Sequence, residues 1–284
     1  MSSRSPEISM RAHAPFVWLL LAGTAACSPA APPAEQGVAA VFDGSGGRWV
    51  DLTHPFSSET VYWPTDTAGF QLEELAYGTT EGGWFYASYA FASAEHGGTH
   101  LDAPIHFAEG RLTTDRIPLS GLIGPAAVVD VTEQASPDYQ VTLTDLQAWE
   151  GAHGALPEGG ILLLRTGWGS RWPDRAAYLG TDRTGPEAVA DLHFPGLHPD
   201  AARWLVAERG IVAVGIDTPS IDYGQSTDFA SHVALYSDNV SGFENVANLD
   251  LLPETGAFVV ALPMKIEGGS GAPLRIVAFV PSGS

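Results

Sequence analysis

The sequence predicts a strand-rich α/β domain. Apolar, β-branched runs at 126–131, 161–165, 211–217, 257–262 and 274–279 read as buried strands. Helical signals are fewer and shorter, and no internal repeat organises them.

With 284 residues the chain can bury one substantial core without a metal or disulfide to hold it together. Thirteen basic residues stand against 33 acidic ones, a formal charge of −20, which argues against nucleic acid as a partner. The single cysteine, Cys27, rules out an intramolecular disulfide.

In chain order, Arg4, Arg11 and His13 precede the apolar run 16–22, and the small residues 23–26 lead into Cys27. A run this short suits a signal peptide rather than a bilayer span. Residues 1–26 are therefore expected to direct export. Residues 27–46, rich in proline and alanine, form a disordered tether, and 47–284 form one folded domain. The leader resembles a bacterial lipoprotein signal, which implies a lipid anchor at Cys27 and a periplasmic, membrane-attached protein.

Residues 49–53 have strand character before His54-Pro55 turns the chain. Trp63, Trp84, Phe85, Tyr86, Tyr89 and Phe91 make 62–91 dense in aromatics, candidates for lining a pocket. After the strand at 126–131, Thr144 and Gln147 are placed to form a capping box on a short helix ending near Gly151. Residues 168–185 read as irregular and polar, suited to a lid or an oligomer contact. Pro199 opens and Gly210 closes a second helix. The strand at 211–217 ends on Asp217-Thr218-Pro219-Ser220, and a polar cluster at a strand's C-terminal end is a frequent place for a site in α/β folds. The loop 265–273 is glycine-rich but lacks the order of a phosphate loop.

The densest chemistry lies at 95–107, where His96, His100, Asp102 and His106 follow H-x3-H-x-D-x3-H spacing. Imidazole nitrogen and carboxylate oxygen suit a borderline divalent ion such as Zn2+ or Mn2+. Gly97, Gly98 and Pro104 oppose a continuous helix. An extended backbone instead puts His100 and Asp102 on one face. His232 and Glu244 are a further supply of ligands, in a region otherwise short of charge.

The segment His96-Gly97-Gly98-Thr99-His100-Leu101-Asp102-Ala103-Pro104-Ile105-His106-Phe107 resembles the signature of the cyclase superfamily, which includes bacterial kynurenine formamidases and isatin hydrolases. The likeness runs from about Trp49 to Phe279 and takes in Trp63-Pro64, the 215–220 segment, His232, Glu244-Asn245 and 263–266. It implies a swivelling β/β/α fold, with His96, His100 and Asp102 as core metal ligands. His232 and Glu244 would complete that site or help form a second, for one or two ions per subunit. His106 would carry protons or bind a second ion, and Glu244 would join it in catalysis. Trp63, Trp84, Phe85, Phe107 and Ser220 are the expected substrate contacts. Relatives form homodimers or homotetramers, sometimes with a neighbour's aromatic residues closing the pocket.

A divalent ion acidifies bound water, so hydroxide forms near neutral pH and attacks an amide carbonyl. Kynurenine formamidase-type cleavage of N-formylkynurenine is the leading expectation for the small-molecule substrate. Isatin-type lactam opening, or hydrolysis of another small cyclic amide or lactone, is the alternative. A non-catalytic metal- or ligand-binding lipoprotein is the reading outside enzymology.

Overall fold

The computed structural model describes residues 38–283. The expected signal peptide, Cys27 and most of the tether lie outside the described residues. The end of the tether differs from expectation: α1 (Val38–Phe42) is helical. The Trp49 indole donates to Val41 O at 2.9 Å and Phe42 packs beside its ring, so local contacts order this segment.

The strands and helices follow as β1 (Gly47–Asp51), β2 (Gln71–Thr79), β3 (Phe85–Ala92), β4 (His100–Asp102), β5 (Ile123–Asp130), β6 (Gln140–Val141) and α2 (Leu143–His153). Next come β7 (Ile161–Arg165), α3 (Arg175–Leu179), β8 (Gly196–Leu197), α4 (Pro199–Glu208), β9 (Ala213–Ile216) and α5 (Ala230–Tyr236). The chain ends with β10 (Ser241–Glu244), β11 (Phe258–Pro263) and β12 (Gly271–Pro281).

The main sheet runs β1-β12-β11-β5-β7-β9-β10-β4, and β12 also pairs with β4, which closes a mixed barrel with β1 outside the ring. The run β5-β7-β9-β10 is parallel and the other pairings are antiparallel. Strands β5, β7 and β9 are covered on both faces, as their unbroken apolar sequences require. Val128, Leu163 and Ala213 point into the barrel with Phe243 and Ile276. Their neighbours Val129, Leu164 and Val214 pack outward beneath α2, α4 and α5, against Leu146, Leu205 and Leu235. This is the expected strand-rich α/β architecture, a closed mixed sheet with peripheral helices.

Three local expectations are corrected. Helix α2 is capped by Thr142, with Asp145 completing the box, rather than by Thr144 and Gln147. The Asp145 carboxylate accepts from Thr142 N at 2.7 Å and from the Tyr139 hydroxyl at 2.8 Å, and a charged acceptor outcompetes the Gln147 amide. Residues 168–185 are not an open polar lid. Trp168, Tyr178 and Leu179 are buried with Val61, Leu192 and Phe194 in a third apolar cluster. The aromatic stretch 71–92 is a separate two-stranded hairpin, β2–β3, whose exposed apolar residues include Leu72, Leu75, Tyr77, Trp84 and Phe85. Among the described residues no helix is long and apolar enough to cross a membrane.

His54 reports on this packing. Its ring stacks on Trp172 with centroids 4.3 Å apart, and burial lowers its pKa to about 4. The unfolded chain, with the ordinary value of about 6.5, therefore takes up the proton first. Stability is full above about pH 6.5 and declines as the pH falls toward 4, by up to about 3 kcal/mol. Urea unfolding across that range should show the slope, and His54→Phe should flatten it. An unchanged slope in the variant would assign the effect elsewhere.

Candidate metal centre

Alternation along β4 builds the site. Leu101 enters the barrel core, while His100 and Asp102 project from the other face, both buried. The chain reaches β4 through Gly97 and Gly98, the latter at φ +59°. A Cβ on Gly97 would sit 2.1 Å from the Tyr62 ring, and one on Gly98 2.7 Å from Phe56, so the approach needs glycine. This turn carries His96 back over β4. Glu244 ends β10, directly across from His100 in the antiparallel pair. His232 comes from α5.

Three imidazoles thus converge on two carboxylates, and each ring has its outer nitrogen already engaged. Ser270 Oγ donates to Glu95 Oε2 at 2.6 Å, so it accepts from His96 Nε2 at 3.0 Å. His100 Nδ1 donates to Gly98 O at 3.0 Å, and His232 Nδ1 to Asp222 Oδ2 at 2.5 Å. The inner nitrogens are then lone pairs that face carboxylate oxygens. His96 Nδ1 is 2.7 Å from Asp102 Oδ1. His100 Nε2, buried with no well-directed hydrogen bond, lies 3.1 Å from Asp102 Oδ1 and 3.4 Å from Glu244 Oε2. His232 Nε2 lies 3.1 Å from Glu244 Oε1 and 3.5 Å from Asp102 Oδ2. Lone pairs held this way need protons or a cation between them. Nitrogen and carboxylate donors of this kind fit a divalent ion.

The proton alternative is visible in the electrostatics. Burial acts to lower the His100 pKa, but the close contact and charge of Asp102, with the charge of Glu244, raise it to about 9. His232 is also raised against burial, by Asp102, Asp222 and Glu244. Protons occupy the cluster until a cation displaces them. Because both values are raised, competition persists toward pH 9, and apparent metal affinity should tighten from about pH 6 to about pH 8 with protons released. Calorimetry in buffers of different ionisation enthalpy measures that release; binding without it would contradict the geometry.

His106 is more exposed than the buried group, yet one of its ring nitrogens lies within 4.8 Å of ligand atoms of both His96 and Asp102. It ends a short 3-10 turn and stacks on His96 with centroids 3.8 Å apart, its outer edge open to the cavity. Desolvation by the surrounding protein is the main cause that lowers its pKa to about 4; the charge of Asp102 opposes the shift, and those of His96, His232 and His100 add to it. The cavity above holds about 370 Å3, with walls including Val61, Tyr62, Trp63, Phe107, Pro219 and Phe229.

Residues 50–223, more than half of the chain, match the family described as "Putative cyclase". The chain belongs to the cyclase family. Isatin hydrolase of Roseibium aggregatum is 39% identical over 209 residues, covering 70% of this chain and 77% of that protein. Kynurenine formamidase of Salinibacter ruber is 30% identical over 228 residues, covering 80% of this chain and 95% of that protein. The crystal structure of an isatin hydrolase bound to the product analogue thioisatinate superposes with a TM-score of 0.77 at 33% identity, over 87% of this chain and 97% of that one. Isatin hydrolase A of Ralstonia solanacearum gives a TM-score of 0.75 at 34% identity, over 89% and 99%. With its buried His/Asp/Glu cluster, this cyclase is a metal-dependent hydrolase.

The fold of the cyclase brings His96, His100, Asp102, His232 and Glu244 within contact of one another and sets His106 beside them. Trp63, Phe107 and Ser220 line the same cavity. Trp84 and Phe85, expected at the substrate, do not line it within this chain. They sit at the hairpin end, 62% and 60% exposed. Sequence reasoning missed Asp222, Tyr236 and Ser270, and it noted Asn245 only as part of the likeness, with no role. Tyr236 donates to Asp102 Oδ2 at 2.9 Å. It stands four residues after His232, a spacing that shares a helix face, and recognising α5 would have exposed it.

Proposed function

We propose that this cyclase opens a small aryl lactam of the isatin type by hydrolysis. The observation that carries the proposal is the partly open cavity over the cluster, walled by Tyr62, Trp63, Phe107 and Phe229. The likeness to isatin hydrolases in sequence and fold supports it over the formamidase chemistry first expected.

A bound Zn2+ or Mn2+ would supply Lewis-acid polarisation of the carbonyl and acidification of water. His96, His100 and Asp102 would hold it, with His232 and Glu244 completing that site or holding a second ion. Trp63, Phe107 and Phe229 pack against the aryl ring and exclude water from its faces. Ser220 supplies a hydroxyl on the cavity wall. His106, neutral above about pH 4, takes the proton of the attacking water on an imidazole nitrogen. It returns that proton to the leaving nitrogen, so the C–N bond breaks to an amine and a carboxylate.

The test is turnover of isatin, N-formylkynurenine and a simple aryl lactone by protein loaded with Mn2+ or Zn2+, with elemental analysis counting the ions. Isatin is expected to be the preferred substrate. Preference for N-formylkynurenine would restore the formamidase reading, which the Salinibacter relative supports. No turnover of any of the three would sink the proposal.

The proposal extends to assembly and address. The exposed aromatic hairpin supports a homodimer or homotetramer in which Trp84 and Phe85 meet a neighbouring copy, checked by light scattering. The leader supports export and lipid attachment at Cys27, checked by the mass of the N-terminal peptide.

A further inference from the structure

Beside the ligands, on the wall of the cavity, lies a residue with no role assigned so far. Asn245 follows Glu244 at φ +53°, a left-handed conformation that asparagine tolerates better than most residues, and it is buried. Every polar group it has is engaged. Its Nδ2 donates to Gly98 O at 2.7 Å, and its Oδ1 accepts from the Tyr178 hydroxyl at 2.9 Å. Its backbone N–H donates to Thr218 O at 2.9 Å, and its carbonyl accepts from Thr99 Oγ1 at 2.7 Å.

The orientation of the carboxamide follows from these neighbours. Gly98 O can only accept, so the amide nitrogen must face it, and the oxygen is left for Tyr178. Tyr178 is itself fully buried and also reaches Asp217 O at 3.1 Å, at the end of β9's strand run. Gly98 O is the same carbonyl that takes the Nδ1 proton of His100. With two donors on it, both lone pairs are used and its direction is fixed from two sides.

From this we propose that Asn245 is a positioning residue: by clamping the Gly98 carbonyl, with Tyr178 setting its amide, it locks the ring of His100 so that Nε2 faces Asp102 and Glu244. The proposal rests on the reading of the cluster as a divalent-metal centre. It adds that the sequence Glu244-Asn245 couples a ligand to the anchor of a second ligand 144 positions earlier, across the β4–β10 pair.

Asn245→Gly tests it, since glycine keeps the left-handed backbone and deletes only the amide. Two measurements are made on metal-free protein whose melting curve confirms folding. The first is Mn2+ affinity, expected to fall by about 10- to 100-fold, the scale on which partners of metal ligands act. The second is the Nδ1–H signal of His100 in histidine-labelled protein, assigned with His100→Gln. It should persist in the wild type and be lost to solvent exchange in the variant, which a general loosening of the fold would not confine to one imidazole. If Asn245→Gly does not fold, Tyr178→Phe is the deciding variant, with a smaller loss in the same two measurements. Wild-type affinity together with a persistent Nδ1–H signal in the folded variant overturns the proposal. A wild-type protein that binds no divalent ion would instead sink the metal-centre reading, and the Nδ1–H signal would still decide whether Asn245 holds His100.

Discussion

Asp102→Asn is expected to abolish stoichiometric metal binding and to cut turnover by about 10^3-fold or more, the scale of losing Lewis-acid stabilisation. The reason is the position of the carboxylate. Its Oδ1 faces the inner nitrogens of His96 and His100, and its Oδ2 faces His232 and accepts from Tyr236. An asparagine keeps one oxygen but turns an NH2 group toward at least one imidazole lone pair, offering a hydrogen bond where an ion is wanted. Elemental analysis after dialysis, beside a melting curve to confirm folding, reads the outcome. A folded variant retaining its full metal content would place the ion elsewhere.

His106→Ala separates chemistry from binding. The ring stacks on His96 but is not enclosed among the buried ligands, so the variant should keep near-native metal content while turnover drops by about 10^2- to 10^4-fold, the usual contribution of a general acid–base group. The pKa of about 4 fixes the sign of the pH dependence. A base with a lowered pKa stays available through neutrality, and its share of the activity is lost only as the pH falls toward 4. Parallel pH–rate profiles for wild type and variant check this. If metal content fell as far as turnover, His106 would be a ligand and not a proton carrier.

Much of this site could be read from the chain because its main ligands are local. His96, His100, Asp102 and His106 fall within eleven residues, and the strand period alone puts His100 and Asp102 side by side. The buried strands were equally legible, since their unbroken apolar runs have no other stable use. What stayed hidden depends on distant contacts. Asp222, Tyr236 and Ser270 are ordinary polar residues until the fold sets each against a ligand. The short helix α5 gave no clear signal, with Phe229 before it in a left-handed conformation and no side-chain cap. Trp84 and Phe85 were expected at the pocket because aromatic density cannot distinguish a cavity wall from an exposed hairpin.

The closure of the barrel has a consequence for timing. Strand β4 is held on one side by β10 and on the other by β12, where His100 pairs opposite Pro273. Ser270, which engages His96, lies just before β12. A nascent chain that has emerged only as far as β10 therefore has all five candidate ligands but lacks the wall that aligns them. Metal loading is therefore expected of the finished polypeptide, once its last strand has docked against β4.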